Sequence, residues 1–285
     1  MQTFDDTACE LGEGAFWHPE RQSFLWFDIP GRRLYERGPA GRTEWDMPEL
    51  TSAMGWVGGG LMVLSSESGL VLFDLDRGLR EPLAAIAADD AALRSNDGRA
   101  DPWGGFWHST MGKDARKDGG GIWRWYRGRL RHLYHRLTIP NAICFDAPRR
   151  LAYFADTDRG TIWAQPLDGE GWPTGDCRLF LDLSSGGLKP DGAVTDDQGR
   201  LWIALFGAGR VVCHDPDGRR VASVEVPARQ VTCPAFGGPD LTALMVTTAW
   251  EGMDPAARAA DPQAGHCLVA QSTARGLPAP RVILR

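Results

Sequence analysis

Four oxygen-bearing side chains recur at matched places along this chain. Asp191 lies ten residues before Leu201, Asn141 ten before Leu151, Asn96 ten before Phe106, and Glu13 eleven before Phe24. Each of the later residues opens an apolar, strand-like run, so each oxygen ligand stands at the entrance to the strand just before it. Asp and Asn favour such corners as turn formers alone, as in Pro190-Asp-Gly192 and Asn96-Asp-Gly98. Four of them at one repeat position point to more. Converging carboxylate and amide oxygens make a hard-cation site that suits Ca²⁺, Mg²⁺ or Mn²⁺, whereas Zn²⁺ more often recruits His and Cys. Two further repeats carry Thr51 and Pro234 at the counted position, which interrupts the ring. Arg94 stands two residues before Asn96 and shares its strand face. It can hold a substrate carboxylate or hydroxyls, with a surface ion pair as the alternative. The six His show no ligand spacing, the six Cys form no C-x-x-C pair, and no nucleophile elbow, P-loop or dinucleotide fingerprint occurs.

The elements that position these residues come from a repeat. Turn-then-strand units begin near residues 24, 61, 106, 151, 201 and 244, at spacings of 37, 45, 45, 50 and 43. A third apolar strand follows each unit, for example Gly69-Leu-Val-Leu-Phe73 and Gly121-Ile-Trp-Arg-Trp125, and then a turn and an outer strand. An all-strand period near 45 residues predicts a propeller with about four strands per blade. The reading is therefore an all-β, six-bladed β-propeller over a single domain, residues 1–285, with a metal site at the mouth of the central channel. A β sandwich or two small β domains are the alternatives, and neither predicts the period. Gly112–Gly121 reads as a loop over one face. Glu251–Gly265 reads as an Ala-rich insertion with one or two helical turns, and Pro82–Leu93 stays open between strand and helix.

Composition agrees. The chain has 285 residues, an apolar fraction of 43%, 35 Gly and 19 Pro, which suits many short strands joined by turns. A formal charge of −6 without a basic cluster argues against a nucleic-acid partner. No apolar run reaches the roughly 20 residues that span a bilayer, and the acidic Met1–Asp6 stretch is unlike a signal peptide. Buried free thiols in a reducing compartment are expected, and with them a cytoplasmic protein.

The motifs that carry these residues resemble the SMP-30/gluconolactonase/regucalcin-like family, in particular its bacterial sugar lactonases. They are Leu11-Gly-Glu-Gly-Ala-Phe-Trp-His18, Arg94-Ser-Asn-Asp-Gly-Arg-Ala-Asp-Pro102 with Ser109-Thr-Met-Gly112, Pro140-Asn-Ala142, Lys189-Pro-Asp-Gly192 and Val231-Thr-Cys-Pro-Ala-Phe-Gly-Gly-Pro-Asp240. They fall in the family's order and cover nearly the whole chain. The family fold is a six-bladed propeller. By motif match the resemblance implies that Glu13, Asn141 and Asp191 ligate one divalent metal ion (Ca²⁺, Zn²⁺, Mn²⁺, Mg²⁺ or Fe²⁺, not distinguished by sequence). It implies that Arg94 and Asn96 contact substrate, and that Asp114 falls where some members carry an acidic substrate contact. Departures are Gly14-Ala15 where the family has Gly-Pro or Ser-Pro, Asn141-Ala142 in place of Asn-Gly, and Ala264-Gly-His266 in place of Ala-Gly-Gly. The ligands survive all three; substrate preference is what they put in doubt.

The implied activity is metal-dependent hydrolysis of a sugar lactone to its aldonic acid, with Asp191 as general base as well as ligand. The expected partner is that small molecule, with no nucleic acid, no membrane, and a monomer or small homo-oligomer as the assembly. Two alternatives stay open: a non-catalytic calcium-binding regulatory propeller, and a related hydrolase of other lactones or organophosphate esters.

Overall fold

The computed structural model describes residues 1–285 and contains 24 strands, one short α-helix and one 3₁₀ turn. Every strand pairing within the sheets is antiparallel, and the sheets form a propeller-like arrangement. The first is Gly12–His18, Ser23–Asp28, Arg33–Gly38 and Gly41–Asp46; the second Thr51–Gly58, Leu61–Ser66, Gly69–Asp74 and Leu79–Ala85. The third is Leu93–Ala100, Phe106–Gly112, Gly120–Tyr126 and Arg129–Leu137; the fourth Pro140–Asp146, Leu151–Asp156, Thr161–Pro166 and Arg178–Asp182. The first strand of each repeat touches that of the next, and the ring closes where Gly12–His18 meets Gln230–Gly237.

The expectation of six separate sheets needs correction: there are five, four of four strands and one of eight. The large sheet joins Lys189–Thr195, Leu201–Phe206, Arg210–His214 and Arg220–Glu225 to Gln230–Gly237, Ala243–Ala249, Cys267–Gln271 and Gln2–Asp5. A single residue pair, Phe206 with Gln230, makes the join. One outer strand of this sheet is Gln2–Asp5, which pairs with Cys267–Gln271.

Burial follows the repeat. Second strands such as Ser23–Asp28 and Leu151–Asp156 are buried along their whole length, while outer strands such as Gly41–Asp46 and Arg129–Leu137 are mostly exposed. Such a gradient follows from sheets stacked face to face around an axis. Turns are held by buried aspartates. Asp196 accepts from the amides of Gln198 (3.0 Å) and Arg200 (2.9 Å) and from the Trp202 indole (2.9 Å), which fixes the Asp-Asp-Gln-Gly-Arg corner.

The undecided segments resolve. Leu79–Ala85 is a strand and no helix follows it before Leu93. Pro255–Ala260 is helical, capped by the Asp254 carboxylate on the Ala257 amide at 2.8 Å with Pro255 in the first turn. All six cysteines are free; five are buried, but Cys177 is exposed, contrary to the expectation of burial throughout. No helix is long and apolar enough to cross a membrane.

Candidate active site

A β-bulge interrupts the first strand of every repeat, and the bulges carry the site. The register shifts between Glu13 and Phe16, Thr51 and Ala53, Ser95 and Gly98, Asn141 and Cys144, Pro190 and Ala193, and Val231 and Pro234. Bulges re-aim side chains out of the ladder, and here they turn them into the ring. The four oxygen-bearing residues divide into two kinds. Asn96 and Asp191 lie inside a bulge, while Glu13 and Asn141 are the last paired residues before one. Glu13 and Asn141 are each followed by a left-handed residue, Gly14 (φ 62°) and Ala142 (φ 54°). Counting had placed Thr51 and Pro234 as the remaining equivalents. The bulge positions belong instead to Ser52 and Thr232.

Arg94, Asn96, Asn141 and Thr157 form one hydrogen-bonded chain. Arg94 Nη1 donates to Asn96 Oδ1 (2.9 Å) and to the Ser95 carbonyl (2.8 Å). Asn96 Nδ2 donates to Asn141 Oδ1 and to the Pro140 carbonyl, both at 2.9 Å. Asn141 Nδ2 donates to Thr157 Oγ1 (2.8 Å), and that hydroxyl donates to the carbonyl of Pro190 (2.6 Å), the residue before Asp191. Thr157 thus ties the Asn141 amide to the strand that carries Asp191, and sequence spacing had given no sign of it.

Glu13 and Asp191 lie close enough for each to shift the other's titration. Burial, then the charge of Asp97, pushes Glu13 up to about 8, with the Gly14 amide and Arg94 opposing the rise. Asp191 is held well above the usual carboxylate range by burial and by the charges of Glu13, Asp97 and Glu251, against Arg94. Burial lowers the Arg94 guanidinium, offset by Glu251, Glu13 and Asp191. Asp97 and Glu251 were not foreseen. Asp97 is buried and accepts from the amides of Ile143 and Gly98, both at 2.7 Å. Its place in Asn96-Asp97-Gly98 was the available signal, read there only as a turn.

Asp114 is exposed in its loop and accepts from the Arg116 amide at 3.1 Å, and no contact joins it to this group. No group of three or more His, Cys, Asp or Glu side chains forms a metal cluster. The donor set that sequence proposed has two carboxylates, its third member being an amide. The residues fit a hard cation all the same. Their donors are all oxygens, and Asn141 Oδ1 accepts one N–H and keeps a second lone pair. The charges of Glu13, Asp97 and Glu251 all bear on Asp191, with Arg94 opposing them. A divalent ion suits such an excess of negative charge.

Residues 11–250 match the profile of the SMP-30/gluconolactonase/LRE-like region, and the chain belongs to this family. Among its relatives, the 6-deoxy-6-sulfogluconolactonase of Pseudomonas putida is 34% identical over 85% of this chain and 84% of that one. The pentonolactonase of Haloferax volcanii is 33% identical over 91% and 89% of the two chains. A solved structure, that of a calcium-binding protein, regucalcin, from Agrobacterium tumefaciens, superposes with a TM-score of 0.97 at 36% identity, covering 99% of this chain and 97% of that one.

Proposed function

We propose that this protein hydrolyses the ester bond of a sugar lactone, releasing the aldonic acid, with one divalent ion held by Glu13, Asn141 and Asp191. The observation that carries the reading is the Glu13–Asp191 carboxylate pair set against Arg94, whose guanidinium is hydrogen-bonded through Asn96 to Asn141. The lactonases among its relatives support the same chemistry. A divalent ion bound there supplies Lewis-acid polarisation of the lactone carbonyl. Asp191 takes the proton of the attacking water, a task open to a buried carboxylate held well above the usual carboxylate range. Arg94 and Asn96 hold the sugar hydroxyls, and their fixed hydrogen bond orients the ring before reaction. Asn141 is held in place from behind by Thr157. The reading also takes the chain as one domain and the eight-stranded sheet as two blades sharing one residue pair, six blades in all.

The test is acid release at constant pH from a panel of aldonolactones, with chelator and with metals added back. The expected result is ion-dependent release on at least one lactone and its loss in Asp191→Ala. A second reading, a non-catalytic calcium-binding protein, draws on the regucalcin likeness. Ion binding without release above the spontaneous rate on any lactone would favour it.

A further inference from the structure

The first strands all run the same way through the ring, so residues three or four places beyond the site lie on the walls of its opposite end. At about 3.3 Å per residue the step is roughly 10 Å along the axis. A cavity of about 270 Å³ lies there. Phe16, Phe145 and Phe236 line its walls, and Leu277 and Pro278 of the C-terminal segment form part of its floor. Arg99 is the single charged residue among the lining. Its Nε donates to the Ile143 carbonyl (2.8 Å) and its Nη2 to the Ala193 carbonyl (2.9 Å). Asp97 feels its charge, yet no carboxylate forms an ion pair with it.

The floor is fastened at its ends and loose between them. Gly276 donates its amide to the Leu241 carbonyl (2.8 Å), Val282 to Trp56 (2.7 Å) and Ile283 to Gly104 (2.8 Å). Between these anchors, Pro278 and Pro280 have no N–H to give, and the amides of Leu277 and Ala279 make no hydrogen bond. A strap of this kind can swing without breaking a ladder.

We propose that this cavity is a second binding site, separate from the carboxylate cluster, for a small apolar monocarboxylate. The aromatic walls take its hydrocarbon part, and Arg99 takes its carboxylate, since a guanidinium in an apolar cavity without an acidic partner is matched by an anion. Size sets the class. An apolar cavity of about 150 Å³ accepts benzene, so this one accommodates a ring with a short acidic chain.

The experiment is calorimetric titration of the full chain with 4-phenylbutyrate and with its neutral amide, 4-phenylbutyramide, in the parent protein and in Ala279→Trp and Ala279→Leu. Ala279 also lines the cavity, and the larger side chains fill it from the strap, outside the sheets. The expected result is one carboxylate bound per chain, binding of the amide at least tenfold weaker, and at least a tenfold loss in the tryptophan variant with a smaller loss in the leucine variant. Thermal melts check that both variants fold, and the leucine variant decides if the tryptophan one does not. No binding at millimolar ligand, equal affinity for acid and amide, or unchanged affinity in a folded Ala279 variant would overturn the proposal.

Discussion

Lowering the pH weakens ion binding at Glu13 and Asp191 by an amount that the site itself sets. With Glu13 near 8 and Asp191 raised as well, the ion-free pair still holds protons at neutral pH. A cation must displace them, so apparent affinity drops about tenfold per pH unit per proton below the pKa. For Glu13 alone the drop between pH 8 and pH 6 is about 50-fold, since about half of the groups are protonated at pH 8 and nearly all at pH 6. A proton on Asp191 can only add to it. The assay is calorimetric titration of Mn²⁺ into chelator-treated protein at pH 6, 7 and 8, in buffers of different ionisation heat. One to two protons should leave per ion bound at pH 7. An affinity that changes less than about threefold across that range, or binding without proton release, would refute a raised, proton-bearing carboxylate pair.

The same pair makes the ion-free protein less stable as pH rises from 7 to 8, because the native state still binds protons there that the unfolded chain has already released. His108 and His132, held at about 3 and about 4, act in the opposite sense but only below their ordinary value near 6.5. Melting of chelator-treated protein should therefore fall by about 2 °C or more between pH 7 and 8 and recover with added ion, whereas a flat or rising melt counts against the assignment. Thr157→Val removes both the acceptor for Asn141 and the donor to Pro190 and should lower ion affinity about 10- to 100-fold, read by the same titration. Ala142→Gly should change stability by less than about 1 kcal/mol in urea unfolding. Relief of the left-handed strain, about 1–2 kcal/mol, offsets the lost methyl and the added chain entropy. Ala152→Gly, equally buried but with no such strain to relieve, should cost more in the same assay.

Strand starts were legible because hydrophobic runs and turn residues are local. The runs placed near 24, 61, 106, 151, 201 and 244 begin at Ser23, Leu61, Phe106, Leu151, Leu201 and Ala243. The gathering of Arg94, Asn96, Asn141, Glu13 and Asp191 was legible from the same repeat. Counting could not see the bulges. Each adds a residue on one side of a ladder, so equal offsets split into two kinds of position, and Ser52 and Thr232 took the places assigned to Thr51 and Pro234. Thr157 and Glu251 act on the site from the turns that follow Leu151–Asp156 and Ala243–Ala249, and nothing in their local sequence announces that, whereas Asp97 stood beside Asn96 and was read only as a turn former. The pairing of Phe206 with Gln230, which fuses two sheets, joins residues too far apart for pattern to reveal.

The Gln2–Asp5 strand has a consequence for how the molecule is made. It pairs with Cys267–Gln271, so these residues leave the ribosome long before their partners exist. The intervening sheets consist of hairpins between chain neighbours and can form as they emerge, whereas this seam closes a loop of almost the whole chain. Until it closes, Cys267–Gln271 is a bare sheet edge of the kind that accepts a strand from another chain.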